Sequence, residues 1–520
     1  MRKGKVFLSA VFIFLSIYLS FPAFGADKNV KLTGPYDTMR DYLAAIEARG
    51  RLLRINQIDQ DKYEGTAFVY RMLDKMGTDK APAVVFEKVK INGQVMDGPV
   101  FANIYPGWDT TAMIYGLSKI TDDQSEMYRA VRNKLVSMVE ENGGQWKKIK
   151  PVTIDSKNAP CKEVVLKGDD IDITKFPWFK NNPGDAGQYI NTPAVFMEDP
   201  MFNRNVGTYR IQVKGKNKIG VNPEKGQHGY IFIKAAEKRG EKSIPAAIAL
   251  GVDPIIFSMA CTKVAALGED ELDFAGGLKG KPVELVKCET SNIMVPAQAE
   301  MIIEGDIPVE TEEEGPYAEM YGYQGEKHQS YTMNIKAITY RKNPIIVNDF
   351  TGVTHPTNMI PWSIGTYINL KKILPNLVDL YDPREAVGIS VLSIEKRFPG
   401  QGISAGEVLL GASTAKVAIV VDKDVDVTDM TQVLHAVATR WQPYPGSLII
   451  NHDFRPSVDP STKKNKLSSK IVIDATRQFP EEGGPDSFAP LSRNILQQMA
   501  PDAFGIVDKN WQEYWKNWKK

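Results

Sequence analysis

Apolar residues recur along this 520-residue chain with several spacings, and each spacing predicts a different kind of element. "DTMRDYLAAIEARGRLLRI" reads as a capped helix ended by Gly50 and followed by a strand. The alternation continues through "APAVVFEKV" and "PVFANIYP", which predicts an N-terminal α/β region over residues 36–150. Short β-rich runs then dominate residues 151–350: "EVVLKG", "GTYRIQVKG", "YIFIKA", "PVELVKC", "AEMIIEG" and "YTMNIKAITY". Gly, Pro and Asp turns separate them, which predicts a barrel-like β domain. Over residues 351–520 the helix/strand pattern resumes, with "KVAIVVDKDVD" a buried strand, "MTQVLHAVATRW" a helix and "SKIVIDATRQFP" a strand. The expected fold class is a multidomain mixture of α+β and α/β units, a central β domain flanked by two α/β regions.

The first residues follow another pattern. A basic start (Arg2, Lys3, Lys5) precedes an apolar run from Val6 to Phe21. Small residues Ala23 and Gly25 then precede Ala26, as in a Sec-type signal peptide cleaved after residue 25. The run spans roughly 24 Å as a helix, short of the ~30 Å hydrocarbon core that an uncleaved anchor would have to cross. The expectation is export, to a periplasm. Losing the three basic residues with the leader would take the net charge from +1 to −2.

Composition narrows the function classes. Hydrophobic residues make up 43% and charged residues 24% of the chain, as in ordinary globular proteins. A net charge of +1 leaves no basic field for a nucleic acid. Three cysteines (Cys161, Cys261, Cys288) in apolar contexts make no disulfide framework.

Several motifs fail on inspection. "GASTAK", ending at Lys416, lacks the second glycine of a Walker loop, and "DKDVDVTD" has Val427 where a calcium loop needs glycine. "GGLKG" at 276–280 reads as a turn. Two stretches remain. "EEEGPYAEMYGY" threads aromatic residues between glutamates, so some of those carboxylates face inward and need a partner. In "NRNVGTYRIQVKGKNK" the spacing puts Thr208, Arg210 and Gln212 on one strand face, and an inward arginine needs an anion. Glu314 and Glu319 are the internal candidates. His228, in "EKGQHGY", is expected in a Gly-rich turn.

The set "NVGTYR", "ELDFAGGLKGKPVELVKCETSNIMVPAQAEMIIEG", "EEGPYAEMYGY" and "SSKIVIDAT" resembles the UbiD family of decarboxylases. The likeness runs from about residue 36 to about 485, with "RDYLAAIEARGRLLRI" and "CKEVVLKGDDIDITKFP" in the matching order. It implies a split β-barrel flanked by α/β regions, and prenylated FMN whose phosphate is held through Mn²⁺ or Mg²⁺ and a K⁺ ion. The family's metal-ligating Asn, His and Glu fall on Asn205, His228 and Glu271. Its Glu-Arg-Glu catalytic set falls on Arg210, Glu314 and Glu319, leaving Glu312 and Glu313 solvated. Thr208, Tyr209, Arg210 and Gln227 join Asn205 and His228 in the implied cofactor site, with Lys416 facing the phosphate.

The implied reaction is reversible, non-oxidative decarboxylation of an α,β-unsaturated or aromatic carboxylic acid. In it Arg210 holds the substrate carboxylate and restrains Glu314, while Glu319 donates the proton. Implied partners are a flavin prenyltransferase that supplies the cofactor and further copies of the chain, as a homodimer or larger assembly. "DFTGVTHPTNMIPWS" departs from the family's loop, and His355 and Trp362 in it are candidates for sorting substrates. Because the cofactor is made in the cytoplasm and the leader implies export, two alternatives stand beside the decarboxylase. One is an exported flavin- or substrate-binding protein without turnover; the other is the same enzyme run as a carboxylase.

Overall fold

A computed structural model describes residues 30–354, 362–454, 459–462 and 467–518. The leader and His355 lie outside the described residues, and of Trp362 only its place at the start of the helix Trp362–Lys371 is described.

The N-terminal region begins as the pattern predicts. Thr38 and Asp41 close a capping box, each backbone N–H meeting the other's side-chain oxygen at 3.0–3.1 Å. The helix Met39–Ala48 follows, and Gly50, at φ +74°, turns the chain into the strand Leu52–Asp59. That strand pairs in parallel with Ala83–Ile91 in a four-stranded sheet completed by Gln94–Ala102 and Ile346–Val347.

The central region is a ten-stranded sheet rather than a closed barrel. Its hydrogen-bonded path runs Tyr189–Ile190, Ile211–Gly215, Lys218–Val221, His328–Tyr340, Met301–Pro308, Ser243–Leu250, Ala194–Asp199 and Asn203–Gly207. Thr311–Glu314 and Val164–Lys167 also pair with the long strand His328–Tyr340. Among the described residues the path keeps two free ends. Yet only Thr208, Tyr209 and Arg210 join the strand at one end to the strand next to the other. Three linking residues reach roughly 14 Å at most, so the sheet curls until its ends nearly meet. The expected strand through Thr208, Arg210 and Gln212 is therefore broken: the first two belong to the link, and only Gln212 lies in a strand.

Two further expectations are corrected here. "YIFIKA" lies in the helix His228–Lys238, which buries Gly229, Phe232, Ile233 and Ala236. Those four positions have helical spacing, hidden in the sequence by the β-branched and aromatic residues around them. His228 is consequently the first helical residue and not part of a Gly-rich turn. "GGLKG" is also helical. Gly276 and Gly277 sit inside Glu271–Lys279, where a Cβ on Gly277 would stand 1.8 Å from the Lys147 carbonyl oxygen, and Gly280 ends the helix at φ +71°.

The C-terminal region has its own five-stranded sheet, ordered Leu377–Tyr381, Ile389–Ile394, Val417–Asp422, Leu467–Ala475 and Ser447–Phe454. Side chains on its two faces form two core clusters distinct from those of the first two regions. Beyond Ala475 no described residue joins any of the four clusters, and the helices Ser492–Met499, Asp502–Lys509 and Trp511–Trp515 bury nothing. Among the described residues no helix is long and apolar enough to cross a membrane.

Candidate active site

The link Thr208–Arg210 sits between two constellations of polar side chains. On one side stand the carboxylates of "EEEGPYAEMYGY". The strand Thr311–Glu314 runs from the surface into the interior: Glu312 is exposed and meets Lys218 at 2.5 Å, whereas Glu314, at its inner end, is 1% exposed. Glu313 pairs with Lys327 at 2.8 Å on the surface. Buried Glu314 is held by Arg210 through two parallel contacts, Nε to Oε1 at 3.1 Å and Nη2 to Oε2 at 2.7 Å. The third guanidinium nitrogen, Nη1, donates to Glu319 Oε1 at 2.6 Å. The Tyr317 ring lies under the guanidinium, 5.4 Å from its carbon, and anchors its hydroxyl on Thr351 Oγ1 at 2.8 Å.

Glu319 is carried on a folded loop. Its backbone N–H donates to the Tyr323 carbonyl at 2.8 Å, and its own carbonyl accepts from Gly322 at 2.8 Å. Gly352, at φ +76°, packs so closely there that a Cβ would stand 2.5 Å from the Glu319 carbonyl oxygen. Buried Asp185 clamps both arms of the loop, accepting from Ala318 N–H at 3.0 Å and from the Gln324 side chain at 3.2 Å. Burial raises the Glu319 carboxyl above its usual range, only partly offset by Arg210. One arginine therefore serves both the buried Glu314 and the half-buried Glu319.

The second constellation lies five residues back along the same segment. Asn205, on the last strand of the path, directs Oδ1 to His228 Nδ1 at 3.0 Å. Glu271, at the start of its own helix, comes within 3.8 Å of the same nitrogen and accepts from Val206 N–H at 2.8 Å. Tyr209 packs into this second constellation: its hydroxyl meets Asn205 Nδ2 at 3.3 Å and accepts from Gly229 N–H at 3.1 Å. An amide oxygen, an imidazole and a carboxylate converging in this way suit a hard divalent cation such as Mn²⁺ or Mg²⁺. The adjoining helix start has no side-chain cap, as a phosphate site requires.

The remaining sequence candidates divide. Thr208 is half-buried on the same link. Gln227 precedes the helix but turns its side-chain oxygen back to Glu224 N–H at 2.7 Å. Lys416 lies at the edge of the C-terminal sheet, bound to Asp459 at 3.2 Å and to Ser461, and meets none of the other candidates among the described residues. Sequence reasoning missed Asp185, Asn222 and His328. His328 was legible in principle, because an antiparallel return from the Gly-Pro turn puts it directly opposite Glu314.

Three family profiles match consecutive parts of the chain: the N-terminal domain of 3-octaprenyl-4-hydroxybenzoate carboxy-lyase over residues 43–130, its Rift-related domain over 152–354, and its C-terminal domain over 361–475. The chain belongs to the UbiD family. A phenolic acid decarboxylase from Sedimentibacter hydroxybenzoicus is 32% identical over 480 residues, covering 86% of this UbiD chain and 93% of that protein. Among solved structures, the vanillic acid decarboxylase of the same organism in closed form is 27% identical with a TM-score of 0.76, covering 93% of this chain and 99% of that one. The UbiD-class enzyme HmfF from Pelotomaculum thermopropionicum, in complex with FMN, is 28% identical with a TM-score of 0.74, covering 88% of this chain and 97% of that one. The protein is thus a UbiD carboxy-lyase, and both constellations fall within the match to the Rift-related domain.

Proposed function

We infer that this UbiD enzyme decarboxylates a phenolic or related aromatic carboxylic acid, with prenylated FMN as cofactor. The observation that carries the reading is Arg210 shared by buried Glu314 and half-buried Glu319, the second of them raised. Names of relatives support the substrate class: a phenolic acid decarboxylase and a vanillic acid decarboxylase. A related structure holding the prenylated flavin supports the cofactor. We read the curled central sheet as the family's split barrel, cradling the flavin between its nearly meeting ends. The domain limits 36–150, 151–350 and 351–520 follow the same reading.

Asn205, His228 and Glu271 would hold Mn²⁺ or Mg²⁺ against the flavin phosphate, with K⁺ beside it, and Thr208, Tyr209 and Gln227 would line the same end. Lys416 would reach the phosphate when the C-terminal domain closes over the cleft, since the vanillic acid decarboxylase has both open and closed forms. Once bound, the cofactor supplies the electron sink that lets CO₂ leave an aromatic or unsaturated carbon. The chain's own residues do the rest. Arg210 orients the substrate carboxylate and restrains Glu314; Glu319 gives its proton to the carbon that has lost CO₂. In the reverse, carboxylating direction Glu319 would take that proton back. A binding protein without turnover is set aside, because the family and its relatives are decarboxylases. We further propose export with a mature start at Ala26, cofactor supply by a flavin prenyltransferase, and a homo-oligomer; intact mass of the native protein tests the first.

Glu319→Gln tests the core of the reading. It keeps size and hydrogen bonding but removes the transferable proton, so turnover should fall by about 10²-fold or more with flavin content unchanged. Parent-like turnover would rule Glu319 out as the acid.

A further inference from the structure

The geometry points to His328 as a positioning residue that decides which of the two carboxyl groups around Arg210 carries the proton. This rests on the reading of Glu319 as proton donor. His328 opens the long central strand, and its register partner on the neighbouring strand is Glu314, so both side chains leave the same face of the hairpin. Its Nε2 stands 3.2 Å from Glu314 Oε2 and 3.2 Å from Asn222 Oδ1. Its Nδ1 stands 3.3 Å from the Glu326 carbonyl oxygen. Every oxygen around the ring is an acceptor of hydrogen. Arg210 Nη2, at 3.4 Å, is the one donor there, and its shorter bond goes to Glu314 at 2.7 Å. A bare lone pair on Nε2 would face two oxygens, whereas a hydrogen there satisfies both.

The two carboxyl groups are therefore served unequally. Glu314 receives Arg210 twice and has His328 Nε2 within 3.2 Å of its Oε2; Glu319 receives Arg210 once. Hydrogen bonds to the ionised form favour that form. Glu314 is thus the better-served carboxylate, and Glu319 is the proposed holder of the proton, where the chemistry uses it. Nearby Glu313 and Lys327 do not compete, because they pair with each other at the surface. Asn222 is fixed in turn by Ser330 Oγ at 2.8 Å, so the imidazole has a rigid stop on the side away from Glu314. The side chain of His328 is 36% exposed, so replacing it does not empty the core.

The prediction is read without a substrate, by infrared spectroscopy of the flavin-loaded protein. Glu319→Gln identifies the band of the protonated carboxyl by deleting it. In His328→Leu that band should shift and split, as Glu314 takes a share of the proton. In His328→Gln, whose amide N–H can replace the Nε2 hydrogen, it should return to the parental form. Turnover with vanillic acid as probe should fall about tenfold in His328→Leu, short of the loss expected for the acid itself, with KM held within about twofold and recovery in His328→Gln. An unchanged band in His328→Leu overturns the role of His328 and leaves Glu319 as donor. Equal losses of flavin in His328→Leu and His328→Gln also overturn it, because the side chain would then be structural. If Glu319→Gln deletes no band in the parent, the underlying assignment of the proton fails instead.

Discussion

Two arginines in this chain, Arg210 and Arg440, each gather a pair of carboxylates, but with different numbers of cations around them. In the C-terminal sheet Arg440 donates to Asp422 at 2.7 Å and to Asp424 at 3.0 and 3.1 Å. A second arginine completes that cluster: Arg477 donates to Asp424 at 2.6 Å through its side chain and to Asp422 at 2.8 Å through its backbone. Two cations balance two anions. Burial raises the Asp422 carboxyl, whereas at Asp424 burial is outweighed by the hydrogen bonds from Arg440 and Arg477, which hold that carboxyl below the usual range. Arg210 also faces two carboxyl groups, but it is the one arginine they share, and burial keeps Glu319 raised. The difference lies in charge balance, not in residue type. Each cluster holds one carboxyl raised by burial, Asp422 and Glu319. Asp422 has two arginines beside it, whereas Glu319 shares its single arginine with Glu314, the setting in which the proposed acid would hold and release a proton.

The sharpest way to break the comparison is to remove each arginine. Arg210→Ala should lower turnover by about 10³-fold, because Glu314 and the substrate carboxylate lose their common partner. It should also cost about 3–5 kcal/mol of stability by leaving buried carboxylates uncompensated, measured by chemical denaturation. Next come the ligands of the second constellation. In His228→Ala and in Glu271→Ala, flavin and manganese content should fall together by about 10- to 100-fold in affinity, measured by absorbance and elemental analysis. Loss of manganese with full flavin retention would separate the two sites.

Titration sharpens the contrast further. A carboxyl raised on folding favours the folded state while protonated, and that contribution is lost as pH rises through its folded value. Activity limited by Glu319 as acid should accordingly fall on the alkaline side, by about tenfold per pH unit once Glu319 ionises. Glu319→Gln should abolish that limb in a pH–rate profile, and a limb of the opposite sign would contradict the assignment. The smallest effect is expected at the balanced cluster. Arg440→Met should cost about 1–3 kcal/mol of stability while turnover per folded, flavin-loaded molecule stays at the parental level.

Much of the site was legible because its residues are close in sequence or carry an unusual chemical demand. Glutamates threaded with Tyr317 and Tyr321 in "EEEGPYAEMYGY" cannot all be solvated, and Arg210 between apolar neighbours needs an anion. The structure pairs these two stretches across a separation of 104 to 109 residues. Asp185 escaped notice because a carboxylate in "NNPGDAGQY" looks like any turn residue. Its partners, Ala318 N–H and Gln324, become neighbours only on folding. Lys416 shows the reverse: its assignment came from resemblance alone, and the described fold gives it to Asp459 and Ser461.

By itself the sequence determined the local elements whose apolar spacing is unambiguous, such as the helix Met39–Ala48 and the strand Val417–Asp422, along with the residue types available for chemistry. Tertiary structure decided three further matters. "YIFIKA" became helix, because burying Phe232, Ile233 and Ala236 on one face outweighs the β preference of its residues. The central strands became a curled sheet with two nearly meeting ends instead of a closed ring, because pairing between strands far apart in sequence leaves no local trace. Folding also set which carboxyl is raised. Glu312, Glu313, Glu314 and Glu319 are the same residue type, and only the fold distributes water, Arg210 and His328 unequally among them.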